Sequence, residues 1–558
     1  MNRYVSARCF LCALLIAQAC MRPDAQMEGF QSGPGASFDW TRDASQRRML
    51  HEAVKRGANI LEAFSVSPPY WMTVSGCASG NKAGQHEDNL IPNMQENFVS
   101  YLTTVVKHFR DVEGVRFESL EPFNEPDLGW GAGGRQEGYS ASVSTRNTEI
   151  PMLAARLKQE RLQTFVSGVD TNNLAAAVGN AQQLSSGAMA ALGRLNTHDY
   201  HGASYWVRPQ ELKSLAQQSR KPVWMSELGC CFPTQGDKSD IWGALFMADS
   251  IRADLRDLGA ESWVLWQPDW NVMAFDAHGG EPQLKKQFYA LAQYTRFIRP
   301  GFQIISAGGA YNTLAAYSPT LKRLVLVSTN WETPALNDLD LTAFGALPSS
   351  VAVSRTTSDE AVNLREGKIS LSAQGHILDP LPVRSITTYV VEGVTPLLTA
   401  LSTPSSIAIE GAHQIASQAT SLCFNINQNA TRPGEAIIPY PCGAFTNMEF
   451  NFVNRGSGYY SIHTVNGSTS LCLNISNATP SPGDAKTYGG PGNLIQWGCG
   501  AGSIPANELF EIVDLGEGHV RMRVKSSGLC LEDPGRGGTI RQNVCAPSSR
   551  SQTFILTE

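Results

Sequence analysis

Two glutamates that end apolar stretches of the sequence have the chemistry to act as an acid and a nucleophile. Glu125 closes "ESLEPFNE", with Asn124 before it and Pro126 after it, and Glu227 closes "KPVWMSE". Hydrolysis of a glycosidic bond with retention of configuration needs two carboxyl groups about 5–5.5 Å apart, one protonated and one ionised. A lone Glu before Pro more often caps a helix or faces solvent. Because a second Glu also ends an apolar run, the pair favours catalysis.

Strands and helices that would position this pair alternate over residues 38–298. The segment "FVSYLTTVVKHFR" is typical of a helix with one apolar face, formed by Phe98, Leu102, Val105, Val106 and Phe109. The short runs "ANILEAF", "VRFESLEPF", "TFVSGVD", "KPVWMSE" and "ESWVLWQ" are typical of buried strands. Such alternation predicts a parallel sheet with helices outside it, and a barrel fits best. Barrels present catalytic side chains at the C-terminal ends of their strands, where both glutamates would lie.

The rest of the chain is rich in predicted strands. Residues 300–395 contain "RLVLVSTNW" and "RSITTYVV", which indicate a separate β unit. The Thr/Pro/Ser stretch "VTPLLTALSTPSS" then predicts a linker. Beyond it, "SLCFNI", "SLCLNI" and "GLCLED" begin three similar units, each with a second Cys and a closing aromatic strand: "MEFNFV", "ELFEIV" and "QTFIL".

These three units resemble a ricin-type β-trefoil, a carbohydrate-binding module of family 13. The repeat and the resemblance imply one disulfide in each unit: Cys423 with Cys442, Cys472 with Cys499, and Cys530 with Cys545. Two residues after the first Cys, where such lectins commonly use Asp, this chain has Asn425, Asn474 and Glu532. Sugar binding therefore follows from the resemblance only, and a purely stabilising appendage is the alternative.

The N-terminus and the composition indicate an exported protein. Basic residues precede the short apolar run "CFLCALLIAQA", and Ala17-Gln18-Ala19 resembles a cleavage site, so we expect a signal peptide over 1–19. The alternative is a buried N-terminal segment. Sequons in the trefoil region, which require exposed loops, agree with secretion: Asn429, Asn466, Asn474 and Asn477. A net charge of −6 without a basic stripe argues against nucleic acid, and the apolar run is too short for a membrane span.

The longer motifs carry a second resemblance. "FNEP", "MSE", "SPPYWM", "NTHDY" and "LPVRSITTYVV" resemble glycoside hydrolase family 30 of clan A. "SFDWTRDASQRRML" and "EPFNEPDLGWGAGGRQEG" are similar to its fungal endo-β-1,6-galactanases. The resemblance implies that Glu125 is the general acid/base and Glu227 the nucleophile. It implies a substrate-binding set of Asn124, which would contact the sugar 2-hydroxyl, Tyr200, which would orient Glu227, and Trp71, Trp130, Trp206, Trp266 and His198. For Trp206, a place in the core is an equal alternative.

The beginning of the barrel departs from that family. The family has about two strands and a β segment before "SFDW", including a strand-end Arg that keeps the nucleophile ionised. Only "MEGFQSGPGA" separates the signal from this motif here, so we expect a barrel without its first strands. Missing strands expose sheet edges and core. The alternatives are a truncated gene model and a product with little or no activity.

Other patterns carry less weight. "GWGAGG" matches a dinucleotide loop, but Pro126-Asp127-Leu128 separates it from the preceding strand. His198 and His201 have no evident third metal ligand, so no metal and no cofactor are expected. Cys77 would pair with Cys230 or Cys231, leaving one thiol, which as a nucleophile would lack a companion His.

The sequence thus predicts a secreted, monomeric, retaining endo-glycosidase that acts on β-1,6-linked galactan. The alternatives are a β-1,6-glucanase or a xylanase of the same family, and a non-catalytic, lectin-like binding protein. The expected fold is a (β/α)₈ TIM barrel lacking its first strands, an adjoining β-sandwich and a β-trefoil. The expected ranges are a signal peptide over 1–19, the barrel over 27–299, the sandwich over 300–395, a linker over 396–406 and the trefoil over 407–558.

Overall fold

The fold is described from a computed structural model of the protein. The described residues are 29–82, 86–132, 136–200, 209–229, 241–268, 272–274, 281–307, 310, 312–331, 335–397, 409–455, 459–466, 471–476, 492–499, 504–516, 518–543, 545 and 549–557. They fall into two compact units, the first formed by Met1–Tyr200, Glu211–Leu228 and Ala260–Val264, and the second by the remainder. The domain boundaries expected from the sequence remain predictions.

A six-stranded sheet whose strands follow chain order forms the scaffold of the first unit. Its strands are β1 (Glu62–Phe64), β2 (Ser119–Glu121), β3 (Phe165–Thr171), β4 (Leu192–His198), β5 (Val223–Gly229) and β6 (Ser262–Trp266). Consecutive strands from β1 to β5 pair in parallel. The predicted parallel sheet is therefore confirmed. Strand β4 is not among the runs predicted from the sequence, because Gly193 and Arg194 interrupt its apolar residues.

Helices follow the strands, as βαβ connections require. They are α1 (Ala44–Lys55), α2 (Gln95–Asp111), α3 (Val143–Gln159), α4 (Leu174–Gln182), α5 (Ser186–Ala191) and α6 (Pro209–Ser219). The predicted apolar face of α2 is buried at Phe98, Leu102, Val106 and Phe109. Side-chain oxygens of Ser142, Asn173 and Ser185 cap α3, α4 and α5. Each accepts a backbone N–H that has no partner inside its helix.

The sheet is open within the described residues, with β1 and β6 at its edges. Phe64 of β1 is 42% exposed and Val264 of β6 is 38% exposed, whereas all three residues of β2 are buried. Apolar side chains on an edge strand are usually covered or replaced by charges in soluble proteins. The exposed edges agree with the expected barrel without its first strands.

Two helices and a β-sandwich make up the first part of the second unit. Helix α7 (Ile241–Ala253) is buried nearly throughout, and α8 (Lys286–Thr295) is anchored to it by the Tyr294 hydroxyl, which donates to the Ala248 carbonyl at 2.7 Å. A π-helical turn, Asp254–Leu258, follows α7. The strands are β7 (Met273–Ala274), β8 (Gln283–Leu284), β9 (Gln303–Ile305), β10 (Thr313–Ser318), β11 (Arg323–Asn330), β12 (Ala335–Asp340), β13 (Phe344–Gly345), β14 (Ser350–Thr357), β15 (Arg365–Ser370), β16 (His376–Leu381), β17 (Ser385–Glu392) and β18 (Thr395–Pro396).

The sandwich is held together by one apolar core. Its main sheet has the order β15-β14-β17-β11-β10-β9, and β12 pairs with β16 in a separate two-stranded sheet. Leu339 and Ile377, from β12 and β16, join Val353 and Tyr389 of the main sheet in one buried cluster. Side chains from two facing sheets thus interdigitate, which is the packing of a β-sandwich.

The C-terminal strands build the predicted trefoil. They are β19 (Gly411–Ser417), β20 (Leu422–Ile426), β21 (Ile437–Pro441), β22 (Glu449–Asn454), β23 (Tyr459–Thr464), β24 (Leu471–Ile475), β25 (Leu494–Gly498), β26 (Phe510–Gly516), β27 (His519–Val524), β28 (Cys530–Glu532), β29 (Arg541–Asn543) and β30 (Phe554–Thr557). Each repeat contributes equivalent apolar residues to one core: Phe424, Leu473 and Leu531, with Phe450, Phe510 and Phe554. All three predicted disulfides are present: Cys423–Cys442, Cys472–Cys499 and Cys530–Cys545.

Among the described residues, no helix has the length and apolar character needed to cross a bilayer. The expected signal peptide lies outside those residues.

Candidate active site

The loop after β2 holds Glu125 in a turned backbone conformation. Glu125 has φ +46°, in the left-handed region, and its N–H donates to the carbonyl oxygen of Asp170 at 2.9 Å. Its own carbonyl accepts a hydrogen bond from the indole N–H of Trp130 at 2.9 Å. Non-glycine residues in this region are uncommon, and such conformations cluster at functional sites. The backbone of Glu125 is therefore fixed from both sides.

The Glu125 carboxylate is buried and has two partners on neighbouring strands. The side-chain amide of Asn172 donates to Oε1 at 2.6 Å, and Nδ1 of His198 lies 3.1 Å from the same oxygen. Asn172 follows β3, and His198 is the last residue of β4. The parallel order of the strands brings these polar side chains to the same end of the sheet.

Glu227 approaches the same ring nitrogen of His198 as Glu125 does. The Tyr200 hydroxyl donates to Glu227 Oε1 at 3.0 Å, and His198 Nδ1 is 3.6 Å from that oxygen. One oxygen of Glu125, one oxygen of Glu227 and a ring nitrogen of His198 all lie within 4.8 Å of one another. The structure thus brings the two glutamates together, with Tyr200 on Glu227 as the resemblance implied.

A third carboxylate, that of Asp170, lies on the opposite side of the histidine ring. Asp170 Oδ2 is 3.3 Å from His198 Nε2, and Asp170 Oδ1 accepts a hydrogen bond from the Ser226 hydroxyl at 2.6 Å. Both ring nitrogens of the fully buried His198 therefore face carboxylate oxygens. An imidazolium donates at both nitrogens, so this arrangement suits a cation rather than a metal ligand. That no metal is bound remains a prediction.

Burial and neighbouring charges shift the proton affinities of this cluster. Burial raises the pKa of Glu227 to about 7; the charges of Asp170 and Glu125 add to this, while His198 and the Tyr200 hydrogen bond oppose it. Burial by itself lowers the pKa of His198, but Asp170 and then Glu227 raise it well above its usual value. Burial also raises the pKa of Asp127, which accepts the Asn172 N–H. Glu227 can therefore hold a proton close to neutral pH.

The other residues predicted for the site occupy varied positions. Asn124 is 5% exposed, and its carboxamide oxygen has no hydrogen-bond partner among the described residues. The Trp130 ring packs directly on Gly138, where an added Cβ would lie 2.1 Å from it, and Trp130 braces Glu125 through its N–H. Trp71 donates its indole N–H to the Gln31 carbonyl at 3.0 Å.

Several predicted residues cannot be placed beside the catalytic pair. Trp266 ends β6, is half-buried and groups with the second unit. Trp206, His201, Cys230 and Cys231 lie outside the described residues. Cys77 is disulfide-bonded. The roles of these residues remain predictions.

Three residues of this cluster are absent from the sequence-based prediction: Asp170, Asn172 and Ser226. Each is a polar residue at or just beyond the end of an apolar strand, in "TFVSGVDTN" or "KPVWMSE". Like Glu125 and Glu227, they lie at the C-terminal ends of strands, where a barrel presents its catalytic side chains. Since Asp and Asn are also common in turns, the pattern by itself does not separate them from loop residues.

Comparison with known proteins defines the class to which this fold and site belong. Residues 23–204 match the model of O-glycosyl hydrolase family 30, and residues 406–497 match that of the ricin-type beta-trefoil lectin domain-like family. An endo-beta-1,6-galactanase from Hypocrea rufa is 33% identical over 341 residues, which are 59% of this chain and 68% of the relative. Glucuronoxylanase XynC from Bacillus subtilis strain 168 is 26% identical over 348 residues, covering 61% of this chain and 75% of the relative.

Solved structures show the same fold. The family 30 subfamily 8 xylanase Xyn30A from Clostridium acetobutylicum superposes with a TM-score of 0.51 at 18% identity, covering 64% of this chain and 85% of that structure. The fold, the paired carboxylates and the trefoil define a glycosidase carrying a lectin-like module. The chain belongs to glycoside hydrolase family 30.

Proposed function

We propose that the protein is a secreted, retaining endo-glycosidase that cleaves β-1,6-linked galactan. The observation that carries this proposal is the pair of carboxylates of buried Glu125 and half-buried Glu227, since one oxygen of each lies within 4.8 Å of the other and of a ring nitrogen of His198. That spacing fits direct attack by one carboxylate on the sugar, because an inverting enzyme needs about 6.5–9.5 Å to admit a water between its two acids.

The proposed reaction has two displacements with Glu125 and Glu227 in different roles. Protonated Glu125 gives its proton to the leaving glycosidic oxygen while ionised Glu227 attacks the anomeric carbon, forming a glycosyl-enzyme. Glu125, now a carboxylate, then takes a proton from a water that displaces Glu227. The Tyr200 hydroxyl on Glu227 Oε1 orients the nucleophile. The unpartnered carboxamide oxygen of Asn124 is proposed to accept a hydrogen bond from the sugar 2-hydroxyl.

The choice of substrate comes from the relatives. The relative that is 33% identical is named an endo-beta-1,6-galactanase, and the relative that is 26% identical is named a glucuronoxylanase. Since loops around a fixed fold decide which sugar is bound, the higher identity over a similar length favours galactan. β-1,6-Glucan and glucuronoxylan are the competing substrates.

Activity and roles can be tested together. We expect the purified protein to release reducing ends from β-1,6-galactan faster than from β-1,6-glucan or glucuronoxylan. Glu125→Gln should lose about 10²–10⁴-fold in kcat, because a general acid contributes that much. Glu227→Gln should fall to background, because no covalent intermediate can form. Equal rates for wild type and both variants would refute the assignment.

The stereochemical outcome needs its own measurement. NMR of the first product formed should show the β-anomer, as retention requires. Glu227→Ala with azide added should yield a glycosyl azide of inverted configuration, because azide would fill the space of the missing carboxylate. An α-anomer as the initial product from the wild type would exclude double displacement.

A binding role for the trefoil is a second candidate function, supported by two exposed aromatic side chains. Tyr440 is 52% exposed and Trp497 is 49% exposed, and each lies directly across from the first Cys of its repeat. Asn543 holds the equivalent place in the third repeat. Exposed aromatic rings stack on the apolar faces of sugars. We therefore propose sugar binding by the first two repeats.

Retention on immobilised galactan would test this binding. Trp497→Ala and Tyr440→Ala should each weaken retention of the Glu227→Gln protein, and Asn543→Ala is the matched control that should not. Retention that is unaffected by both aromatic substitutions would leave the trefoil as a stabilising module. A wild-type protein that binds galactan without hydrolysing it would favour the lectin-like alternative.

Secretion is also part of the proposal. Three disulfides in the trefoil are typical of proteins that fold in an oxidising compartment. Recovery of the protein from the medium of a secreting host, starting at or near residue 20, would support export.

A further inference from the structure

We infer that Asp170 is a positioning residue that keeps His198 positively charged between the two catalytic carboxylates. This inference rests on the proposed function, because the charge matters only if Glu227 has to be ionised to attack. It assigns a role to Asp170, whose carboxylate lies against the histidine ring and whose own charge also raises the pKa of Glu227.

Both ring nitrogens of His198 lie within ion-pair distance of carboxylate oxygens. Nδ1 is 3.1 Å from Glu125 Oε1 and 3.6 Å from Glu227 Oε1, while Nε2 is 3.3 Å from Asp170 Oδ2. A neutral imidazole has one N–H, so one of its nitrogens would present a lone pair to a carboxylate oxygen. The imidazolium presents N–H to both sides. In a fully buried ring, that difference strongly favours the charged form.

Asp170 is itself held firmly in place. Its Oδ1 accepts the Ser226 hydroxyl at 2.6 Å, and its backbone carbonyl accepts the N–H of Glu125 at 2.9 Å. Its φ of +54° is a conformation that Asp and Asn adopt more readily than other non-glycine residues. Asp170 therefore links the backbone of the acid to the ring that faces both acids.

The charge of His198 affects the protonation of Glu227. His198 faces Glu125, Glu227 and Asp170, with Asp127 further away, so four carboxyl groups surround one imidazole. The positive charge of His198 lowers the pKa of Glu227 against the effect of burial. Loss of that charge would leave the nucleophile protonated up to a higher pH.

The charge state of His198 can be measured without any substrate. The chain has ten histidines, and ¹⁵N-labelling of their rings, with His198→Asn to identify one signal, gives the titration of His198 by NMR. We expect the imidazolium signature at pH 7 in the wild type. In Asp170→Asn, which keeps the shape and tolerates the left-handed backbone, we expect the pKa of His198 to fall by about 1–3 pH units.

Ser226→Ala is the matched control. It removes the hydrogen bond to Asp170 but leaves the carboxylate charge, so the His198 titration should stay close to that of the wild type. If Asp170 had only a structural role, Ser226→Ala and Asp170→Asn would affect the titration alike. Restoration of the imidazolium signal in Asp170→Glu would support the electrostatic role further.

Turnover gives the second readout. Because a neutral His198 no longer favours ionised Glu227, the acid limb of kcat/KM should move to higher pH in Asp170→Asn, as it should in His198→Asn. A neutral His198 in the wild type at pH 7, or an unchanged titration in Asp170→Asn, would overturn the inference. A chain that hydrolyses no glycan but shows the expected titrations would refute the proposed function and leave the charge assignment intact.

Discussion

Glu125 and Glu227 lie side by side but have different neighbours. One oxygen of each carboxylate and a ring nitrogen of His198 lie within 4.8 Å of one another. The asymmetry between them comes from their neighbours: Asn172 donates to Glu125, while Tyr200 donates to Glu227. The proposed mechanism requires the proton on Glu125 when the substrate is bound.

The first prediction at this scale concerns pH. Glu227 must be ionised to attack, and burial raises its pKa to about 7. We therefore expect kcat/KM to rise with pH through about 7 and to fall as the solution becomes more acidic. His198→Asn should move this acid limb to higher pH, because the cation that favours ionised Glu227 is lost. Initial rates on galactan across the pH range measure both, and an acid limb near the usual pKa of Glu would contradict the assignment.

Helix α3 carries a buried acid that affects stability rather than catalysis. Glu149 is fully buried and accepts a hydrogen bond from the Tyr139 hydroxyl at 3.1 Å, and burial raises its pKa to about 8. The folded protein therefore keeps this proton at a pH where the unfolded chain has lost it. Protonated Glu149 makes its full contribution to the stability of the fold below the usual Glu pKa of 4.5, and this contribution is lost as the pH rises through about 8.

The second prediction follows from this proton at the element scale. In the wild type, Glu149 should lower the free energy of unfolding by up to about 1.4 kcal/mol per pH unit between those two values. Glu149→Gln keeps an acceptor for Tyr139 and has no proton to lose. Denaturant unfolding at several pH values should show that the free energy of unfolding of the variant increases relative to that of the wild type as the pH rises. A difference that does not depend on pH would mean that Glu149 titrates normally.

The sequons of the trefoil differ in how exposed their asparagines are. Asn429 is exposed, whereas Asn466 is 4% exposed and Asn474 is 7% exposed. A glycan would be attached at the side-chain nitrogen Nδ2. In Asn466 this nitrogen donates to the Ala430 carbonyl, and in Asn474 it donates to the Glu508 carboxylate. The expectation that every sequon lies on an exposed loop is therefore wrong for Asn466 and Asn474, and Asn477 lies outside the described residues.

The third prediction is selective glycosylation in a eukaryotic secretory host. Asn429 should carry a glycan, and folded protein should carry none at Asn466 or Asn474, because a glycan cannot occupy a buried, hydrogen-bonded nitrogen. Mass spectrometry after enzymatic deglycosylation locates the sites. Thr431→Ala, at an exposed position, should remove the glycan at Asn429, and Ser468→Ala should leave the glycan pattern unchanged. A glycan found at Asn466 in folded protein would contradict the buried position.

At the scale of the whole molecule, the trefoil has the features of an independent folding unit. Its buried apolar cluster and its three disulfides involve only residues of the C-terminal repeats. The first unit contrasts with it, since the edges of its sheet expose Phe64 and Val264. The two parts should therefore respond differently to denaturation.

The fourth prediction is that residues 407–558 fold by themselves. The isolated segment should unfold cooperatively and at higher denaturant in the oxidised form than in the reduced form, since each disulfide typically contributes about 2–4 kcal/mol. Circular dichroism of both forms, beside the full chain, would measure this. A segment without a cooperative transition would show that the trefoil needs the rest of the chain.

Features that depend on neighbouring residues in the chain could be predicted from the sequence. The strand-end glutamates, the apolar face of α2, the parallel sheet and the three disulfides all follow from periodicity and spacing, which act over a few residues or a regular repeat. Which distant side chains meet depends instead on how the strands assemble. Asp170, Asn172 and Ser226 join His198 because consecutive parallel strands end at one edge. Asn466 and Asn474 are buried and donate to residues 36 and 34 positions away in the chain, Ala430 and Glu508, and no local pattern encodes such contacts.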